Sequence, residues 1–405
     1  MNIAELTLPE IDITSPAFAE DPFPQYREAI KQHWLARTAV GYVVLGFDDM
    51  RDLLLMDDKL DTPNKAITTL MGADDSTWGK WNNRFMLALS GDDHKRIRDV
   101  VAPTFTPRNA ELHRPIMKDT VNGLLDDWAA RDRFDFTEFA SFFPISVMCR
   151  LIGAPVDIVP VIKDKLEAMG TGFSLNPDML PALDDALEYM LDFVERLFEE
   201  REANPPQDAR DKDLLDQLLE VTGHEDGLTR QEMIDLIVLL FGGGYDTSKN
   251  LLNMIVNILL DRPEDWKRLA SDEQFAKAII NETLRYASVI TTYRIAREEF
   301  VYRDLTVPEG TMLVFPLPLA GRDASIFSDP NGFDPGRKPE ARHYAFGRGI
   351  HICLGQFIAR VQIEVALPII ASRLPNLARD GEFGWRPFPG IWGPASLPVS
   401  TGNVS

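Results

Sequence analysis

Cysteine, acid and alcohol side chains stand in two short segments where their spacing suits chemistry. The first reads Phe346-Gly347-Arg348-Gly349-Ile350-His351-Ile352-Cys353-Leu354-Gly355. Gly347 and Gly349 permit tight turns, and Cys353 stands just before a long amphipathic pattern carrying Ile358, Val361, Ala366, Leu367 and Ile370. Backbone N–H groups and the dipole at a helix start lower a thiol pKa and favour the thiolate, a nucleophile and metal ligand. The plainer alternative is a buried, unreactive cysteine in a glycine-rich turn. The second segment is Gly242-Gly243-Gly244-Tyr245-Asp246-Thr247. An acid beside an alcohol suits proton transfer; equally, Asp246 is a solvated side chain and Thr247 bonds its own backbone.

That second segment interrupts an unusually long helical pattern. Thr229 and Glu232 form a capping box at its start, and Asp261-Arg262-Pro263 ends it. Three glycines in a helix interior cost roughly 2–3 kcal/mol against alanine. Either two helices meet there or something packs close to the backbone. Glu282 and Arg285, three apart in another helical pattern, share a face and can pair. His94 and Arg98 lie one turn apart, and Arg294 follows in Tyr293-Arg294-Ile295. Alone, each of these is an ordinary surface residue.

The pattern F-G-x-G-x-H-x-C-x-G, filled by Phe346, Gly347, Gly349, His351, Cys353 and Gly355, resembles the haem-binding loop of the cytochrome P450 family. Gly243-Gly244-Tyr245-Asp246-Thr247 resembles the oxygen-binding helix of that family, and Glu282-x-x-Arg285 its paired charges, in the family's order along the chain. The resemblance spans about Asp21 to Val399. It departs once: the position of Gly243 is more often alanine. It implies that Cys353 is the axial thiolate of haem b, which pushes electron density onto iron and favours O–O cleavage. Gly243 and Gly244 would give room over the haem, Thr247 would hydrogen-bond the oxygen being activated, and Asp246 would feed it protons. Glu282, Arg285 and Arg337 would form a charge network behind the cysteine loop. His94, Arg98 and Arg294, with His351 or Arg348, would face the haem propionates, since guanidinium suits carboxylate.

Composition is that of an ordinary globular protein. The 405 residues carry a net charge of −21, which argues against a nucleic-acid binder or a surface held by anionic lipid. Two cysteines, Cys149 and Cys353, cannot staple a secreted scaffold of this size. Cys149 lies in an apolar run and reads as core. The start of the chain has neither the basic nor the apolar part of a signal peptide, and no long uncharged apolar stretch occurs. The expectation is a cytoplasmic protein with no membrane anchor.

The elements that must position these residues are mostly helical. Helical spacing marks Leu183 to Arg201, Leu228 to Leu260, Glu273 to Tyr286 and Leu354 to Leu374, with Pro368 expected to kink or interrupt the last. Ala39 to Gly46 reads as a strand, and Glu299 to Pro316 as a small β element turning at Pro308-Glu309-Gly310. Asp329 to Arg342 reads as a meander. The predicted fold is mainly α with a small β portion, one cytochrome P450 domain over 1–405, in which about 1–20 form an N-terminal extension.

Substrate contacts are expected by position from Trp78, Trp81, Phe85, Met86, Met169, Phe173, Phe241, Val289, Thr292, Ile391 and Trp392, which suit a small apolar molecule such as a terpenoid or aromatic compound. The chain carries no flavin or iron–sulfur module, so the resemblance implies O₂ as co-substrate and electrons from a [2Fe-2S] ferredoxin with its NAD(P)H-dependent reductase. Lys95, Arg96, Arg108, Arg342, Arg348 and Arg360 are candidates to steer it to a monomeric enzyme. The rival readings are a haem-thiolate peroxygenase or isomerase, against which the intact Asp246-Thr247 pair counts, and a non-catalytic haem sensor, for which no output module is visible.

Overall fold

Thr229 caps the central helix, Arg230–Leu259, through the expected capping box with Glu232. In the computed structural model, which describes residues 1–208, 212–221, 227–338 and 340–402 and all their side chains except those of 173 and 174, this helix runs without a break through Gly242, Gly243 and Gly244. At 30 residues it is about 45 Å long. The glycines do not break the helix, and they differ in what they leave room for. A Cβ on Gly244 would meet Met148 Sδ at 2.9 Å, so that position lets the helix Phe136–Ile152 lie against the central one. A Cβ on Gly243 would meet nothing within 4 Å.

Around this axis pack Arg114–Trp128, Val159–Gly170, Leu180–Ala203, Glu273–Tyr286 and Gln356–Arg373. Fully buried Phe139, Phe143, Phe198 and Phe241 fill the spaces between them. Pro368 lies inside its helix without ending it. That helix starts at Gln356 because Leu354 and Gly355 belong to a turn.

The β portion is small. A five-stranded sheet runs in the order Leu35–Thr38, Gly41–Val44, Met312–Pro316, Thr291–Ala296, Leu60–Asp61. The predicted strand over Ala39 to Gly46 is instead the turn and second strand of a hairpin, because Gly41, at φ +143°, begins the return strand. Phe300–Tyr302 and Leu305–Val307 pair across a turn at Arg303 and Asp304, whereas the strand beyond the expected turn at Pro308-Glu309-Gly310 joins the five-stranded sheet instead. In the sheet Arg294 lies opposite Leu313 and Thr292 opposite Phe315, which fixes Arg294 on a buried strand. The fold class is mainly α with a small β portion, as predicted.

Among the described residues one segment, Gly349–Arg373, is long and apolar enough by composition to cross a membrane. It carries Arg360 and Glu364, and its helix packs on Arg114–Trp128 and Glu273–Tyr286.

Candidate active site

A cavity of about 390 Å³ is lined by Phe346, Gly347, Cys353 and Gly355 of the cysteine loop and by Gly243, Gly244 and Thr247 of the central helix. The loop is held by its own backbone. The Cys353 N–H donates to Phe346 O at 2.9 Å, and the Gly347 N–H to Tyr344 O at 2.7 Å. Gly347 and Gly349 take φ of +69° and +73°, as the tight turn requires. The expectation of a lowered thiol pKa needs correcting. The Gly355 N–H and Arg98 do pull the Cys353 pKa down, but burial outweighs them and pushes it up. Such a thiol gives up its proton when a metal cation takes its place. Cys149, by contrast, is fully buried in the core, its pKa pushed up to about 12 by burial.

Among the described residues three cations line the same cavity, and no carboxylate does. Arg98 donates to Ile352 O at 2.6 Å, and Arg294 to Tyr293 O at 2.7 Å and Thr292 Oγ1 at 3.3 Å. Arg348 lies over the Tyr344 ring at 5.0 Å. Burial lowers the pKa of both Arg98 and Arg294. His351 lines the cavity, and its pKa falls to about 3, from burial first and from Arg294, His94 and Arg98 after it. His94 stands behind it, ring centroids 4.5 Å apart. His94 Nε2 and His351 Nδ1 are buried without a hydrogen-bond partner. One buried and two half-buried cations, with orphaned ring nitrogens, beside a cavity with no carboxylate among its described lining residues match a ligand that brings its own negative charges. The residues present therefore fit haem, with its two propionates.

Behind the loop, Arg285 holds Glu282 at 2.6 and 2.9 Å, both residues being buried. Arg285 also donates to the carbonyls of Gly321, Pro330 and Gly332, which ties the meander to its helix. Arg337 reaches Glu282 at 3.4 Å as the expected third member.

Asp246 and Thr247 point to different places. Thr247 lines the cavity, and its hydroxyl donates to Gly243 O at 2.7 Å. Asp246 does not line it. Its carboxylate, 1% exposed, receives Arg386 at 2.5 and 2.9 Å, Lys249 at 3.2 Å and Asn250 Nδ2 at 2.9 Å. Lys249 continues to Glu167 at 2.6 Å, and Tyr245 donates to Glu167 at 2.5 Å. Glu167, on the helix Val159–Gly170, is half exposed. The network thus runs from solvent to the neighbour of Thr247. A Cβ on Gly170 would meet Asp246 Oδ2 at 2.4 Å, so glycine is needed where that helix crosses the carboxylate.

Of the expected substrate contacts, Trp78, Trp81, Phe85, Met86, Met169, Val289, Thr292 and Ile391 line the cavity. Two do not. Phe241 packs on Phe193 in the core, and Trp392 stacks on Trp385 with its indole N–H on Ala19 O. Their neighbours Gly242 and Ile391 face the cavity instead. The side chain of Phe173 lies outside the described residues. Asn64, Asn82 and Ser288, absent from the sequence reading, add polar lining.

A helical fold that holds a half-buried cysteine loop and an acid–alcohol helix around one cationic cavity defines a cofactor-dependent oxidoreductase. The chain belongs to the cytochrome P450 family, whose members bind haem, and it is a cytochrome P450 monooxygenase by class. Residues 173–374 match the sequence pattern described as Cytochrome P450. It is 30% identical to luteothin monooxygenase of Streptomyces thioluteus, over 98% of this chain and 96% of that protein. It is 32% identical to the cytochrome P450 monooxygenase PikC of Streptomyces venezuelae, over 94% and 91%. Among solved structures, P450BioI in complex with an acyl carrier protein ligated to hexadec-9Z-enoic acid superposes with a TM-score of 0.85 at 26% identity, covering 95% of this chain and 99% of that one.

Proposed function

We propose that this chain is a haem-thiolate monooxygenase that inserts one oxygen atom from O₂ into a small apolar substrate, a terpenoid or an aromatic compound. The observation that carries it is the shared lining of one cavity by Cys353, Arg98, Arg294 and Thr247. Cys353 would hold the iron of haem b, and Arg98, Arg294, His351, His94 and Arg348 would receive its propionates. Bound there, haem supplies O₂ activation, with thiolate donation favouring O–O cleavage. Gly243 leaves space on the helix side. Thr247 holds its hydroxyl proton toward Gly243 O, and its oxygen keeps acceptor capacity toward the cavity. Asp246 stores a carboxylate beside it, connected to solvent through Lys249 and Glu167. Trp78, Trp81, Phe85 and Ile391 exclude water and orient an apolar ligand.

Electrons would come from a [2Fe-2S] ferredoxin and its NAD(P)H-dependent reductase, to a monomer in the cytoplasm. Of the steering cations, Arg96 is taken up by Glu232, Lys95 by Asp99 and Arg360 by Asn281. Arg108 and Arg342 stand exposed, which narrows the patch.

The test supplies ferredoxin, reductase, NADPH and isotopically labelled O₂, with ligands first selected by their spin-state shift. A product carrying one labelled oxygen supports the reading. Ligands that shift the spin state yet yield no labelled product contradict it.

A further inference from the structure

The turn after the helix Phe47–Leu53 meets the cysteine loop at one carboxylate. Asp57 Oδ2 accepts the Ile350 N–H at 3.2 Å, three residues before Cys353. The approach depends on Gly349. A Cβ there would lie 3.0 Å from both Asp57 oxygens and 2.5 Å from Leu54 O, and its φ is +73°. Leu54 itself lines the cavity. Next along the loop comes His351, whose ring meets that of His94 edge-on. The half-buried Asp57 thus stands at the cationic side of a cavity that has no carboxylate of its own among the described residues.

We propose that Asp57 is a positioning residue of the haem site: its carboxylate anchors the cysteine loop at Ile350, and its negative charge lowers the reduction potential of the iron held by Cys353. A fixed negative charge favours the more positive, oxidised iron, and the partly enclosed site weakens solvent screening. Asp57 also acts on His94 and Arg294, opposing the effect of burial on each. The inference rests on the haem-thiolate reading.

The experiment measures the midpoint potential of the ferric/ferrous couple by spectroelectrochemistry in the haem-loaded protein and in D57N, D57E and D58N. Asn retains an oxygen for the Ile350 N–H and loses only the charge. Asp58, 75% exposed beside Lys59, controls for net charge alone. D57N is expected to move to higher potential while keeping the thiolate-type spectrum of its carbon monoxide complex. D57E and D58N should stay near the unsubstituted protein. A D57N potential equal to that of D58N, or a D57N protein without the thiolate spectrum, overturns the proposal. If the unsubstituted protein lacks that spectrum, the haem-thiolate reading itself fails and takes this inference with it.

Discussion

Arg386 grips the carboxylate of Asp246 with two nitrogens, at 2.5 and 2.9 Å, from 140 residues further along the chain. Solvent does not reach the acid, and Lys249 is its second cationic partner. Arg386→Met should cost about 3 kcal/mol in urea unfolding, because a buried charge loses a partner. Asp246→Asn should lower turnover about 100-fold, the low end of a general acid's contribution. Its substrate affinity, read from spin-state titration, should stay unchanged, since Asp246 does not line the cavity.

The glycines beside this pair answer differently to a methyl group. Gly243→Ala meets no atom within 4 Å and should stabilise the helix by up to about 1 kcal/mol, with haem uptake retained. Gly170→Ala drives a Cβ to within 2.4 Å of Asp246 Oδ2. It should lower the melting temperature and reproduce the turnover defect of Asp246→Asn. Calorimetry on both variants checks the contrast.

Glu282 accepts from Arg285, from Arg337 and from the Asp334 N–H at 2.9 Å. Glu282→Gln leaves the buried guanidinium of Arg285 without its counter-charge, and should cost roughly 3–5 kcal/mol. Because Arg285 ties the meander before the cysteine loop, haem content per protein should fall as well. Arg285→Lys should not restore it, since one ammonium cannot reach two carboxylate oxygens and three carbonyls in that fork geometry.

His343 gives the protein an acid limit. Its pKa falls to about 3 because of burial first, then the cations of Arg360 and Arg342. In the unfolded chain it titrates near ~6.5, so between those values the unfolded state binds more protons. Stability from this group is complete above the unfolded value and is lost as pH falls through the window. The slope is at most about 1.4 kcal/mol per pH unit. Unfolding titrations from pH ~7 to ~5 should show a shallower slope in His343→Gln than in the unsubstituted protein, the remainder coming from His351, whose pKa falls likewise.

What could be read from the residues alone followed local pattern. The capping box of Thr229 and Glu232 and the Glu282–Arg285 spacing are short-range geometry, and both form as expected. The cysteine loop was legible because its glycines and cysteine sit within ten residues. Long-range partners were not. No pattern around Arg386 marks it as the counter-charge of Asp246, although a buried aspartate in a helix interior demands one, and Lys249 at i+3 was in plain sight. Helix phase decided the error at Phe241, which turns inward while Gly242 faces the cavity; Trp392 lies on non-helical chain, where it turns into the core and its neighbour Ile391 lines the cavity. Propensity alone would have split the central helix at its glycines. It continues because Met148 occupies the groove at Gly244 and packing outweighs the entropic cost.

The central claim is that Cys353 presents a thiolate to haem iron. The direct measurement is the difference spectrum of the reduced protein under carbon monoxide, recorded for the unsubstituted protein and for Cys353→Ser. The account predicts the strongly red-shifted Soret band of a thiolate-ligated complex in the first and its loss in the second. A histidine-type band in the unsubstituted protein, or no haem signal after reconstitution, would contradict it.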